Sequence, residues 1–245
     1  MRKLGIIGGM SWVSTASYYE RINRNVQRKT SPMASAPVLI DSLNFEELYG
    51  LQEAEDWDRA AGVLGDSAAA LERAGAGALM ICANSMHRLH DEIAARVDIP
   101  ILHIADCVGR KMAAENSTNA ALLGTRNIMT ESFYRQRLVA HGVDLLPPDM
   151  DNVEELDRII YDELMRGKVS RDAERALKTI ITRKQQEGAK SIVLACTELE
   201  LVIDVDANVL PIFDSARIHC EAAVEWILGE SDDVSQAKPK RVANA

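Results

Sequence analysis

The chain lacks the features that would commit it to a membrane, a nucleic acid or a disulfide framework. No run of apolar residues approaches the roughly 18 needed to cross a bilayer. The first such run, Leu4-Gly5-Ile6-Ile7, stops at two glycines and is too short for a signal-peptide core. Positive charge is also in deficit: 28 Lys plus Arg stand against 37 Asp plus Glu, a formal net charge of −9. An acidic chain without a basic cluster is a poor partner for nucleic acid or an anionic membrane surface. Cysteine is scarce, 4 in 245 residues with no CxxC pair, which argues against both a disulfide scaffold and a structural zinc site. A cytosolic protein with reduced thiols is expected. No group of His, Cys and carboxylates reaches three or four metal ligands at coordinating spacing, GxGxxG is absent, and no lysine motif suggests pyridoxal phosphate. The expectation is therefore no metal and no cofactor.

Against these absences stands a regular alternation. Short apolar runs at residues 4–7, 37–40, 78–82, 101–104, 120–123, 143–146, 191–196 and 211–213 read as strands, most of them bounded by Gly or Pro. Amphipathic stretches at 14–28, 57–74, 86–96, 126–140, 153–166 and 171–187 read as helices. Strands alternating with helices of this length give an α/β protein with parallel sheets covered on both faces. The polar, aperiodic residues 230–245 read as a loose tail.

The chain also repeats itself. Leu4-Gly5-Ile6-Ile7-Gly8-Gly9-Met10-Ser11 is echoed by Ala121-Leu122-Leu123-Gly124-Thr125-Arg126. Leu79-Met80-Ile81-Cys82 followed by Ala83-Asn84-Ser85 is echoed by Ile192-Val193-Leu194-Ala195-Cys196 followed by Thr197-Glu198. Cys82 lies 74 residues after Gly8, and Cys196 lies 72 after Gly124. Each half thus sets a cysteine at the C-terminal end of a strand, where open parallel sheets bind their ligands. Facing lobes would put the two thiols on opposite walls of one cleft. Free N–H groups at the following helix start would lower a thiol pKa.

Each of these residues has a plainer reading. A strand-end cysteine is often a small apolar core residue, and Cys107 and Cys220 are expected to be only that. Gly8-Gly9 and Gly124-Thr125 either form tight turns or offer donors to an anion. Asn84, Ser85 and Thr197 could cap the helices that follow. His87 and His90 read as satisfied surface histidines, and Met10 and Trp12 as walls of a cleft.

In order and spacing, Leu4-Gly5-Ile6-Ile7-Gly8-Gly9-Met10-Ser11, Cys82-Ala83-Asn84-Ser85-Met86-His87, Leu122-Leu123-Gly124-Thr125 and Ala195-Cys196-Thr197-Glu198 resemble the aspartate/glutamate racemase family across nearly the whole chain. The resemblance implies two Rossmann-like lobes related by pseudo-twofold symmetry, with the last helix returning to the first lobe. That division gives residues 1–104 plus 214–229, residues 105–213, and the tail 230–245. It also implies a cofactor-independent active site in the inter-lobe cleft, a small amino-acid substrate and a homodimer.

In the family's two-base chemistry one group removes the α-proton and another protonates the opposite face. The resemblance assigns these roles to Cys82 and Cys196. Met10, Ser11, Gln52, Asn84, Ser85, Thr125, Thr197 and Glu198 are then the substrate-binding candidates, stabilising enolate-like charge. Aspartate-selective relatives place a basic residue in the segment matching 47–52 and a lysine near that matching 164–168. Here the first segment holds no Arg or Lys, and the second holds Arg166 and Lys168. A racemase for aspartate, glutamate or a broader set is the leading expectation. A lyase or cis–trans isomerase of small dicarboxylates, or a small-anion binder that has lost turnover, are the alternatives.

Overall fold

The structure, a computed structural model, describes residues 1–203 and 208–231. The tail expected from residue 230 onward lies almost entirely outside the described residues.

Strand β1 (Leu4–Gly8) runs into helix α1 (Trp12–Lys29), followed by β2 (Val38–Ser42), α2 (Phe45–Glu53), α3 (Trp57–Arg73) and β3 (Ala78–Ile81). A 3-10 turn over Ser85–Leu89 leads into α4 (His90–Ala94), then β4 (Ile101–Leu102) and α5 (Ile104–Ala114). The second half starts with β5 (Asn119–Gly124), α6 (Arg126–Thr130), α7 (Ser132–Ala140), β6 (Asp144–Leu145) and α8 (Met150–Arg158). It continues through α9 (Arg171–Gln186), β7 (Ile192–Ala195), β8 (Ile212–Asp214) and α10 (Ser215–Leu228). Side chains cap several helix starts: Ser11 accepts from the Ser14 N–H at α1, Asp56 caps α3, Ser170 caps α9 and Asp214 caps α10. Each satisfies N–H groups that no helical turn can reach.

Two four-stranded sheets result, in the orders β2-β1-β3-β4 and β6-β5-β7-β8. All pairings are parallel, and the central strands β1, β3 and β7 are buried along their whole length. That burial on both faces is why these strands read as continuous apolar runs. The two orders are the same order twice, so the repeat in the sequence is a repeat of topology.

Three apolar clusters hold the sheets. One is shared by both halves: Leu4, Ile6, Met80 and Cys82 meet Leu122, Val193 and Ala195 around α5, α10, Tyr18, Tyr134 and Trp226. The other two cover the far face of each sheet, one on Ile7, Leu79 and Ile81 and one on Ala121, Leu123, Ile192 and Leu194. Helix α10 packs against both α1 and α5.

Two expected helices are interrupted. Residues 126–140 divide at Glu131, whose backbone is extended (φ −84°, ψ 161°) and whose carboxylate meets Arg88 at 2.9 Å. The stretch 153–166 stops being α-helical after Arg158. It widens to a π turn over Ile159–Glu163 and tightens to a 3-10 turn over Leu164–Arg166. Such π turns re-aim side chains and are frequent beside functional sites.

Candidate active site

The loops at the carboxyl ends of β1, β3, β5 and β7 converge between the two sheets. Gly9 makes the first of these turns possible. It sits at φ +90°, and a Cβ there would run into the backbone of Leu43. Its N–H donates to the Thr15 hydroxyl at 2.8 Å. Close packing against Leu43 thus fixes the turn, and the Gly9 N–H is already paired within the chain.

The loops line one small pocket that is open on one side. Met10, Gln52, Asn84, Ser85, Thr125, Cys196, Thr197 and Glu198 all line it. Of the substrate-binding candidates only Ser11 stands behind the wall, capping α1 and reaching Glu198 Oε1 at 3.4 Å. Ala83, Met86 and Ala195, which stand in the quoted motifs, and Phe45, Ile160, Tyr161 and Met165, which no motif in the sequence marks, complete the lining. Ile160 and Tyr161 come from the π turn after α8. Burial pushes the Tyr161 phenol up to about 12, so it is neutral at physiological pH.

Cys196 lies at the end of β7, and its thiol donates to Glu198 Oε2 across 3.1 Å. Glu198 also accepts from the hydroxyls of Ser14 (3.0 Å) and Thr197 (2.8 Å). This carboxylate is thus fixed by neighbours from both halves of the chain. Burial pushes the Cys196 thiol well above its ordinary value, with the Glu198 charge adding to the rise. The backbone N–H groups of Glu198 and Leu199 pull the other way and are outweighed. The activating effect expected of the helix start is therefore overridden by desolvation.

Asn84 and Thr125 carry a different signal. Asn84 is buried with both polar atoms of its amide unpartnered, and the Thr125 hydroxyl is likewise unpartnered. Neither side chain caps the helix that follows it. Buried polar groups are nearly always paired, so two orphaned groups lining one pocket mark a place for a polar ligand group such as a carboxylate.

Cys82 is not brought to the pocket. It is fully buried, burial alone pushes its thiol up, and it belongs to the core shared by the two halves. The residue facing the pocket is its neighbour Ala83. Strand register explains the difference. Ile7 pairs with Ile81 in the first sheet and Leu123 with Leu194 in the second. Equating Gly8 with Gly124 then equates Cys82 with Ala195, both in the shared core, and Ala83 with Cys196. Successive side chains of a strand point to opposite faces, so a one-residue offset moves the thiol from cleft to core. Of the expected pair of thiols, Cys196 lines the pocket and Cys82 does not, and Ala83 lines it in place of Cys82.

The charged residues sought for substrate selection also lie elsewhere. Arg166 is exposed and pairs with Asp162 at 3.5 Å, and among the described residues no Lys or Arg lines the pocket. Gln52 and Tyr161, joined by a 3.4 Å hydrogen bond, also border a wider outer recess containing Arg88 and Arg126. There Arg88 stacks on Trp57 with 3.7 Å to the ring centroid and pairs with Glu131, while Arg126 pairs with Asp157. His87 and His90, read from the sequence as surface residues, are instead buried, in ring contact with His103. Among the described residues no group of three or more His, Cys, Asp and Glu side chains is placed to hold a metal ion. No described helix is long and apolar enough to cross a membrane.

The sequence profile of the Asp/Glu/hydantoin racemase family matches residues 7–223. A candidate Asp/Glu racemase from Yersinia pestis is 38% identical and superposes with a TM-score of 0.87, covering 93% of this chain and 100% of that one. An aspartate racemase homologue from Pyrococcus horikoshii is 33% identical with a TM-score of 0.81, over 93% of this chain and 100% of that one. The broad-specificity amino-acid racemase of Bacillus subtilis is 22% identical over 230 residues, 92% of this chain and 98% of its own length.

Proposed function

The chain belongs to the Asp/Glu/hydantoin racemase family, and from that premise we propose that it racemises small amino acids without a cofactor, with Cys196 as its thiol acid–base. The observation that carries this reading is the Cys196–Glu198 contact at the floor of a pocket that also holds the unpartnered Asn84 and Thr125.

The substrate carboxylate is placed against Asn84 and Thr125, supplying the hydrogen bonds those groups lack. Its ammonium group brings positive charge near the sulfur, which favours the thiolate that burial otherwise opposes. Glu198 takes the Sγ proton, and the thiolate then takes the α-proton. The electron pair of the broken C–H bond is held in the carboxylate as an enolate. Hydrogen bonds from the Asn84 amide and the Thr125 hydroxyl stabilise that charge as it develops. Neutral side chains are favoured beyond the α-carbon, because the pocket there presents Met, Phe, Ile and Tyr with Gln52 and, among the described residues, no cation. All four cysteines are free and buried, which suits a reducing cytosol, and the family resemblance supports a homodimer.

The test incubates single enantiomers of several amino acids with the protein in D₂O and follows the α-proton signal and optical purity. Deuterium uptake with loss of optical purity supports the reading, and Cys196→Ala should slow it by about 10² or more. A second reading draws on the single thiol in the pocket. A lyase that releases CO₂ from a small dicarboxylate needs only one proton donor. Evolution of CO₂ without amino-acid exchange would favour it.

A further inference from the structure

The racemase reading assumes a proton donor on each side of the α-carbon, and the structure gives the two sides different chemistry. On one wall Cys196 is coupled to Glu198, which is partly exposed and itself bonded to Ser14 and Thr197. In the equivalent strand register of the other wall stands Ala83, which has no acid or base. Its flanking thiol, Cys82, is turned into the core beside Tyr18 and Cys220. Rotation about χ1 of Cys82 does not alter this, because the chain continuing from β3 directs its Cβ to the opposite sheet face.

We propose that Ala83 makes this site one-sided: Cys196 serves one face of the substrate α-carbon, and solvent water serves the other. The proposal rests on the racemase reading and deepens it.

The two outcomes of one deprotonation then compete. The Cys196 thiolate takes the α-proton, leaving a thiol and an enolate. If the thiol returns a proton to the same face, configuration is retained and the thiolate is restored. If water protonates the opposite face, configuration inverts. The hydroxide left behind takes up the proton held by Cys196 through Glu198, so the site again ends where it began. A positioned acid outperforms water by a large factor. Return from Cys196 therefore outpaces inversion. Because Glu198 is partly exposed, the shared proton exchanges with solvent, and retention becomes visible in D₂O as deuterium uptake without loss of optical purity.

The experiment follows deuterium uptake by proton NMR and inversion by chiral chromatography, in parallel, for both enantiomers of one turned-over amino acid. Wild type should exchange the enantiomer whose α-hydrogen faces Cys196 roughly tenfold or more faster than it inverts it. The opposite enantiomer should exchange only as fast as it inverts. Ala83→Cys should raise inversion by roughly tenfold or more and bring the two rates together. Cys82→Ala, with folding checked by circular dichroism, should leave both rates close to wild type. Equal rates of exchange and inversion from both enantiomers in wild type would overturn the proposal. So would loss of activity in a folded Cys82→Ala protein, or an Ala83→Cys protein whose ratio does not move. Absence of exchange with every amino acid tried overturns the racemase reading itself and this inference with it. That outcome is distinct from the others, all of which require turnover.

Discussion

The Cys196 thiol donates to Glu198 Oε2 at 3.1 Å, which makes the carboxylate both the acceptor for the thiol proton and a charge that opposes thiolate formation. These two roles move two measurements in opposite directions. Glu198→Gln removes the acceptor, so kcat should fall by about 10²-fold. It also removes the negative charge, so the Cys196 thiol should ionise at lower pH. Alkylation of Cys196 by iodoacetamide, followed against pH by mass spectrometry, should show a midpoint shifted downward in the variant. A midpoint that rises or stays still would show that Glu198 does not act on the sulfur.

Asn84 should trade stability for binding. Its amide is buried without a hydrogen-bond partner in the protein, a condition that costs about 1–3 kcal/mol. Asn84→Ala should therefore raise the melting temperature of the ligand-free protein while raising KM for the amino acid. Thermal denaturation and steady-state kinetics on the same preparation decide it. A fall in both stability and affinity would mean that the amide has a structural partner.

Specificity should be indifferent to the basic residues near 164–168. Arg166 is exposed and paired with Asp162, so Arg166→Ala should change kcat/KM for any amino acid by no more than about twofold, the usual range for a surface substitution. Methionine and homoserine should be turned over at least as well as aspartate, because among the described residues no cation lines the pocket. A strong preference for aspartate that Arg166→Ala abolishes would place that guanidinium in the site.

Acid should unfold the protein through its buried histidines. The His87 and His103 rings meet at a tilt with centroids 4.4 Å apart, His90 meets His103 edge-on at 5.0 Å, and His87 meets His219 edge-on at 5.7 Å. Burial lowers His87 and His103 well below the ordinary value, with neighbouring histidines and Arg137 adding to the effect. Burial also lowers His219 to about 4. A histidine depressed in the folded state binds its proton more weakly there than when unfolded. Stability is then full above pH 6.5 and is lost as pH falls from there towards the folded value. For His219 alone that loss is roughly 3 kcal/mol by pH 4. Urea titrations at pH 7 and pH 4.5 should show it, and His219→Gln should flatten the slope.

The fold was largely legible because its signals are local. Strand-sized apolar runs, their alternation with amphipathic helices, and the repeated order of β1, β3, β5 and β7 all stand in the sequence. The face of each strand was not. Leu79-Met80-Ile81-Cys82 is apolar at every position because both sides of the sheet are covered. The period-2 alternation that would tell inward from outward is therefore missing. Counting residues from Gly8 put the thiol in the cleft, whereas the register with β1 puts Ala83 there. Tyr161 escaped for a related reason. A regular helix through residues 153–166 gives no hint of the π turn that brings it to Cys196. His87 and His90 misled because the i, i+3 spacing of an exposed helix also fits a 3-10 turn folded inward.

The core shared by the two sheets bears on how substrate enters. Tyr134, Phe213 and Trp226 belong to the same cluster as Leu4, Tyr18 and Met80, so the halves cannot hinge apart like a clamshell without exposing that whole interior to water. Access to Cys196 is left to the rim elements, α2 with Phe45 and Gln52 and the π turn with Tyr161, which sit outside the common core. The same continuity binds two repeated halves into one cooperative unit. Tryptophan fluorescence and far-UV circular dichroism should therefore report a single, coincident unfolding transition, despite an architecture written twice along the chain.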